Sequence, residues 1–121
     1  HHNENSRASA GGWTVKLDEV REYIGKSELV EIYPGYFPKT TSSIKSHNYA
    51  LVHLDADLYN PQLSGLEYFY PKMSKGGVII IHDCNNEYFG SKKAIDEFFL
   101  DKPETPILIP DKSGSAIIIK I

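Results

Sequence analysis

The sequence predicts an α/β domain built on a doubly wound, largely parallel sheet. Two observations carry that prediction. Strand-loop-helix units occur twice in succession, and of their nearly continuous apolar strands Tyr49–Leu54 runs straight into Asp55-Ala-Asp57 and Val78–Ile81 ends in His82-Asp83. Ligands of open α/β sheets bind beyond the carboxyl ends of the strands. Asp55, Asp57 and Asp83 therefore stand where a site belongs.

Residues 1–12 are polar and open on two histidines, which reads as the end of an affinity tag plus linker, leaving 13–121 as the domain. From Thr14 to Ile24, Leu17, Val20 and Ile24 recur at helical spacing, and Gly25 is placed to end the helix. Leu29–Tyr33 is β-rich and stops at Pro34-Gly35, so it reads as a strand followed by a loop through Tyr36-Phe37-Pro38. Tyr49–Leu54 has the apolar content of a strand covered on both faces. Asn60-Pro61 then supply an N-cap and a first-turn proline for a helix carrying Leu63, Leu66 and Tyr70, ended by Pro71.

Gly76-Gly77 introduce the second buried strand, Val78–Ile81, which leaves the core at His82-Asp83. Ser91 can cap a helix with Ala94, Ile95, Phe98 and Phe99 on its apolar side. Ile107–Ile109, the turn Asp111–Gly114 and Ala116–Ile119 complete a β-hairpin.

The 121 residues, 40% hydrophobic and 24% charged, suit one soluble globular domain. The longest apolar runs are four residues, against roughly 20 needed to span a bilayer. Thirteen Lys+Arg against sixteen Asp+Glu leave a net charge of −3 with no basic run, so neither nucleic acid nor membrane is an expected partner. One cysteine, Cys84, and no signal segment point to a reducing, cytoplasmic setting.

Converging carboxylates at neighbouring strand ends suit a hard cation such as Mg²⁺, Ca²⁺ or Mn²⁺. Asp55 and Asp57 would equally serve to satisfy loop or helix-end N–H groups. His82 reads as a ligand, a general base, or a polar residue leaving the core. His53 reads as a hydrogen-bonded core or rim histidine, His47 as solvated, Cys84 as structural, and Lys92 and Lys93 as a solvated helix face. The chain has no glycine-rich dinucleotide loop, P-loop, HExxH or GxSxG.

Taken together, His53-Leu-Asp-Ala-Asp-Leu-Tyr59, Tyr70-Pro71, Gly76-Gly-Val-Ile-Ile-Ile-His-Asp83, Lys93-Ala-Ile-Asp-Glu-Phe-Phe99 and Ser113-Gly114 resemble, in order and spacing, the macrocin O-methyltransferase family. The resemblance covers about residues 14–121. It implies a Rossmann-like class I methyltransferase sheet, S-adenosylmethionine as donor, Mg²⁺ or another divalent cation, and a sugar hydroxyl of a small-molecule acceptor. By position it implies Asp55 as metal ligand and general base, Asp83 as a second acidic ligand, and His82 as a ligand where the family carries another aspartate. Gly35, Tyr36 and Phe37 resemble the segment beside the cofactor's adenine.

The same resemblance implies strands three to seven of the family's sheet, with a C-terminal hairpin. The half that bears the glycine-rich cofactor loop has no counterpart. The first and second strands would lie between the third and fourth, so Leu29–Tyr33 is expected to lack its neighbour. The open edge of the fourth strand offers a route to a homodimer. The expectation is a C-terminal part of a methyltransferase domain, binding S-adenosylmethionine weakly or not at all by itself.

Rival readings come from the same acids. Leu54-Asp-Ala-Asp57 alone fits an Asp-x-Asp glycosyltransferase that binds Mn²⁺ and a nucleotide sugar, although the later motifs are foreign to it. A haloacid-dehalogenase-like phosphatase needs more chain than the 28 residues from Asp55 to Asp83. A non-catalytic fragment or binding module of methyltransferase ancestry is the third.

Overall fold

The sheet is made of β1 (Tyr49–Leu54), β2 (Met73–Ile81), β3 (Ile107–Ile109) and β4 (Ser115–Ile119), in the order β1-β2-β4-β3. Helices α1 (Leu17–Ile24), α2 (Tyr59–Phe69) and α3 (Phe89–Phe98) accompany it in this computed structural model, which describes residues 15–84, 89–112 and 114–121. The opening segment read as a tag and linker lies outside the described residues.

β1 and β2 pair in parallel, Leu51 opposite Val78 and Leu54 opposite Ile81, joined by α2 as the crossover. β4 runs antiparallel to β2, and β3 antiparallel to β4. Strands four to seven of the expected sheet thus pair as one block. β1, β2 and β4 each bury apolar residues on one face, whereas β3, three residues long, buries none and completes the edge by pairing with β4.

That face carries Val52, Leu54, Ile79, Ile81, Ala116 and Ile118, packed against Leu66 of α2 and against Ile95 and Phe99 near α3. Gly65 lets α2 approach β1, since a Cβ there would meet the Leu54 side chain at 3.0 Å. The opposite face differs from the expected covering on both sides. Leu51, at 61% exposed, Ile119 and Ile107 face outward with the half-buried Val78, Ile80 and Ile117. The apolar runs reflect strands built for two covered faces, and helices among the described residues cover only one.

Leu29–Tyr33 forms no strand, and Leu29 is almost fully exposed. An extended segment becomes a strand only by exchanging backbone hydrogen bonds with a neighbour, and no described segment supplies one. α1 likewise buries none of its residues. A hollow of about 620 Å³ between α1 and the following segment is lined by Arg21, Ile24, Lys26, Glu28, Val30 and Ile32, and by none of the strand-end acids.

Helix starts shift from expectation by a few residues. α2 begins at Tyr59, after Leu58 at the N-cap position, so Asn60 and Pro61 fall within the first turn, where the missing proline N–H costs nothing. α3 begins at Phe89, which places Ser91 inside the helix and frees its hydroxyl for another partner. At the far end of the sheet, buried Glu104 accepts hydrogen bonds from Lys120 Nζ (2.7 Å), Tyr70 Oη (2.6 Å) and the Ile121 N–H (3.1 Å), fastening the chain end to the core.

Candidate active site

The carboxyl ends of β1 and β2 lie side by side, because Leu54 pairs with Ile81 and the His82 N–H donates to the Leu54 carbonyl at 2.9 Å. The next residues of each strand are therefore forced together. Asp55, His82 and Asp83 each offer a ligand atom, and these atoms all lie within 4.8 Å of one another. His82 Nδ1 is 3.3 Å from Asp55 Oδ1 and 3.1 Å from Asp83 Oδ2.

Burial makes the cluster chemically demanding. Asp83 is only 6% exposed, and its Oδ1 finds no hydrogen-bond partner among the described residues. His82 Nδ1 is buried and equally unpartnered, close to two carboxylates yet not aligned to donate to either. Leaving such groups unsatisfied costs roughly 1–3 kcal/mol each. A divalent cation accepting both would remove that cost, so the donor set fits a metal.

Backbone strain collects at the same place. Asp57 and Asp83 have φ of 55° and 56°, the left-handed region that only Asn, Asp and Gly enter readily. Each costs about 1 kcal/mol or more and re-aims the chain as it leaves a strand, a pattern that concentrates at functional sites.

Electrostatics reflect the crowding of acids. Burial first, then the neighbouring Asp83 carboxylate, push the Asp57 carboxyl up to about 6. For His82, burial favours the neutral ring, but Asp83, Asp55 and the more distant Asp111 outweigh it and raise its pKa. Asp111 belongs to the β3–β4 turn, held by bonds from the Ser115 N–H (2.8 Å) and Oγ (2.6 Å). Since β4 starts beside the end of β2, this turn sits on the rim of the cluster.

The helices brace the site from behind. Ser91 Oγ, fully buried, donates to the His82 carbonyl at 3.4 Å, so α3 holds the backbone that presents His82 and Asp83. Gly90 brings the start of α3 against the start of α2, where a Cβ would meet the Tyr59 nitrogen at 2.8 Å.

Asp55, His82 and Asp83 are thus brought together. Gly35, Tyr36 and Phe37 are not placed with them by any described contact. They lead into the 3-10 turn Lys39–Ser43, whose Thr41 carbonyl accepts from Tyr68 Oη at 3.4 Å. Tyr68 is at the C-terminal end of α2, roughly 15 Å along the helix from the end that borders the acids.

His53 is an exposed side chain on the open sheet face, edge-on to His82 with ring centroids 6.3 Å apart, and not a core histidine. Cys84 is buried, and desolvation pushes its thiol up to about 11, consistent with a structural role. Lys92 and Lys93 pair with Asp96 and Glu97 one turn along α3, as a solvated face does. Asp57, Ser91 and Asp111 join the site beyond the ligand set read from sequence. For Asp57 the signal was its i+2 spacing from Asp55, whereas Ser91 and Asp111 carried only cap and turn signals.

The chain matches the family description macrocin O-methyltransferase (TylF) over residues 4–113. It is 32% identical over 100 residues to the demethyldecarbamoylnovobiocin O-methyltransferase of Streptomyces niveus, covering 80% of this chain and 36% of that one. Against the 8-demethyl-8-(2,3-dimethoxy-alpha-L-rhamnosyl)-tetracenomycin-C 4'-O-methyltransferase of Streptomyces olivaceus it is 34% identical over 77 residues, 60% of this chain and 30% of that one. The solved structure of the O-methyltransferase NovP superposes with a TM-score of 0.71 at 28% identity, covering 85% of this chain and 42% of that one. The chain spans about a third of the length of these curated relatives. Match, sheet order and strand-end acids agree, and the chain belongs to the macrocin O-methyltransferase family.

Proposed function

We propose that the protein containing this chain transfers the methyl group of S-adenosylmethionine to a hydroxyl of a small-molecule acceptor, and that Asp55, His82 and Asp83 hold a divalent cation at the acceptor side. The observation that carries this reading is the convergence of these three ligand atoms at two adjacent strand ends, with buried Nδ1 and Oδ1 atoms lacking partners. The hydroxyl of a sugar is the acceptor class we infer, since one relative's name specifies methylation of a rhamnosyl-bearing compound.

Methyl transfer is an in-line displacement. The acceptor oxygen bonds to the methyl carbon, the carbon–sulfur bond breaks to leave the thioether, and the hydroxyl proton must go to a base. Bound at this site, the cation would orient the acceptor oxygen and lower its pKa. Asp55, exposed at the mouth, is assigned to take the proton. Asp57 is a second assignment favoured by one observation: its carboxyl, raised to about 6, is nearer the pKa that general-base catalysis near neutral pH requires. Ser91 and the paired strand ends hold His82 and Asp83 in place.

Gly35, Tyr36 and Phe37 are assigned to the adenine side of the cofactor. Tyr36 presents a ring that is 87% exposed, the flat amphipathic surface on which an adenine can stack. No described helix is long and apolar enough to cross a membrane, and with the single unpaired Cys84 we infer a cytoplasmic setting. For this chain by itself, the open outer edge of β1 is the surface we assign to a homodimer.

Thermal unfolding of the full gene product tests the reading. S-adenosylhomocysteine at about 100 times its dissociation constant should add about 2.7 kcal/mol of stability. Stabilisation by a UDP-sugar with Mn²⁺, and none by S-adenosylhomocysteine, would replace this function with the glycosyltransferase one.

A further inference from the structure

Which ion the site selects is decided by its donor atoms. Three carboxylates would present only hard oxygens, the donor type that suits Mg²⁺. Here His82 occupies one of the three positions, removing one negative charge and contributing a borderline nitrogen. Imidazole nitrogen adds little for Mg²⁺, whereas affinity for N/O sites rises along the first-row transition series.

The geometry agrees with ligation through Nδ1. Neighbouring ligands on a six-coordinate ion with bonds near 2.1 Å lie about 3.0 Å apart. His82 Nδ1 stands 3.1 Å from Asp83 Oδ2 and 3.3 Å from Asp55 Oδ1. Neither this nitrogen nor the second oxygen of Asp83, itself more than nine-tenths buried, is engaged in a hydrogen bond among the described residues. An ion between the strand ends would take this nitrogen and an Asp83 oxygen as ligands, displacing any proton the imidazole holds.

Resting on the reading of Asp55, His82 and Asp83 as a metal site, we propose that the site takes a first-row transition dication, Mn²⁺, Fe²⁺ or Co²⁺, in preference to Mg²⁺, with His82 Nδ1 as the selecting ligand. The metal-stripped protein, carrying His1→Ser and His2→Ser so that the opening histidines bind nothing, is titrated calorimetrically with MgCl₂, MnCl₂ and CoCl₂. The same titrations are run on H82D in that background.

Co²⁺ should bind at least about tenfold tighter than Mg²⁺, and H82D should cut that ratio by about tenfold as it replaces the nitrogen with a third carboxylate. If both proteins bind ions with the same ratio, the inference fails and the metal site stands. If neither binds any ion, both fail. Pulsed electron paramagnetic resonance of the Mn²⁺-loaded unsubstituted His82 protein needs no folded H82D. Coupling to a directly bound imidazole nitrogen is the expected result, and oxygen-only coordination overturns the proposal.

Discussion

Replacing Glu104 by Gln should destabilise the protein at neutral pH and lose that effect in acid. Glu104 is 4% exposed and accepts from Lys120, Tyr70 and the Ile121 N–H. Burial works against its ionisation, but the hydrogen bonds from Lys120 and Tyr70 prevail and hold its carboxyl down at about 2, from an ordinary value of 4.5. Because the folded pKa is the lower one, the stabilisation is complete above the unfolded value and disappears as pH falls through the folded one.

The fall from 4.5 to about 2 corresponds to about 3 kcal/mol, and solvent around the partly exposed Lys120 reduces this to about 1–2 kcal/mol. Glutamine keeps the shape but removes the charge. Urea denaturation of both proteins from pH 7 to pH 2 should show a gap of that size at pH 7, closing between about pH 5 and pH 2. A gap that is absent at pH 7, or constant down to pH 2, would refute the role given to this ion pair.

Three further outcomes are expected. Gly90→Ala should cost about 1–3 kcal/mol by urea denaturation, despite alanine's better helix propensity, because its Cβ meets the Tyr59 backbone nitrogen at 2.8 Å; unchanged stability would mean that the two helix starts are not in contact. In the full gene product, Asp57→Asn should lower kcat by about 10²-fold or more with metal affinity retained if Asp57 is the base, whereas an unchanged kcat would leave that role to Asp55. Sedimentation velocity of this chain by itself should show concentration-dependent dimers suppressed by Leu51→Lys, since a charge on the open strand blocks edge pairing; a monomer at about 100 μM would remove the dimer.

The sheet is legible in the sequence because its information is local. Tyr49–Leu54 and Val78–Ile81 are too apolar and β-branched for loops, and the hairpin turn carries Asp111 and Gly114 at the needed positions. The meeting of Asp55, His82 and Asp83 is legible too, as parallel pairing of two strands brings the residues just past their carboxyl ends together, whereas their reading as a ligand set comes from the family resemblance. The strand expected at Leu29–Tyr33 does not form, because strand formation depends on a partner as well as on propensity. The roles of Ser91 and Asp57 are hidden in tertiary contacts: a serine that looks like a cap binds the His82 carbonyl instead, and the pKa of Asp57 depends on burial and on Asp83, 26 positions away. The open apolar sheet face is equally invisible, because a run of isoleucines does not state which faces are covered.

The central claim is metal-assisted methyl transfer. Its most direct test is to incubate the full gene product with S-adenosylmethionine labelled in the methyl group and a rhamnosylated acceptor, with and without a chelator. Label should appear on a sugar oxygen, fall at least about tenfold on chelation, and return when a divalent cation is restored. Transfer at an undiminished rate in the chelator would contradict the metal, and failure to transfer label under any condition would contradict the reaction.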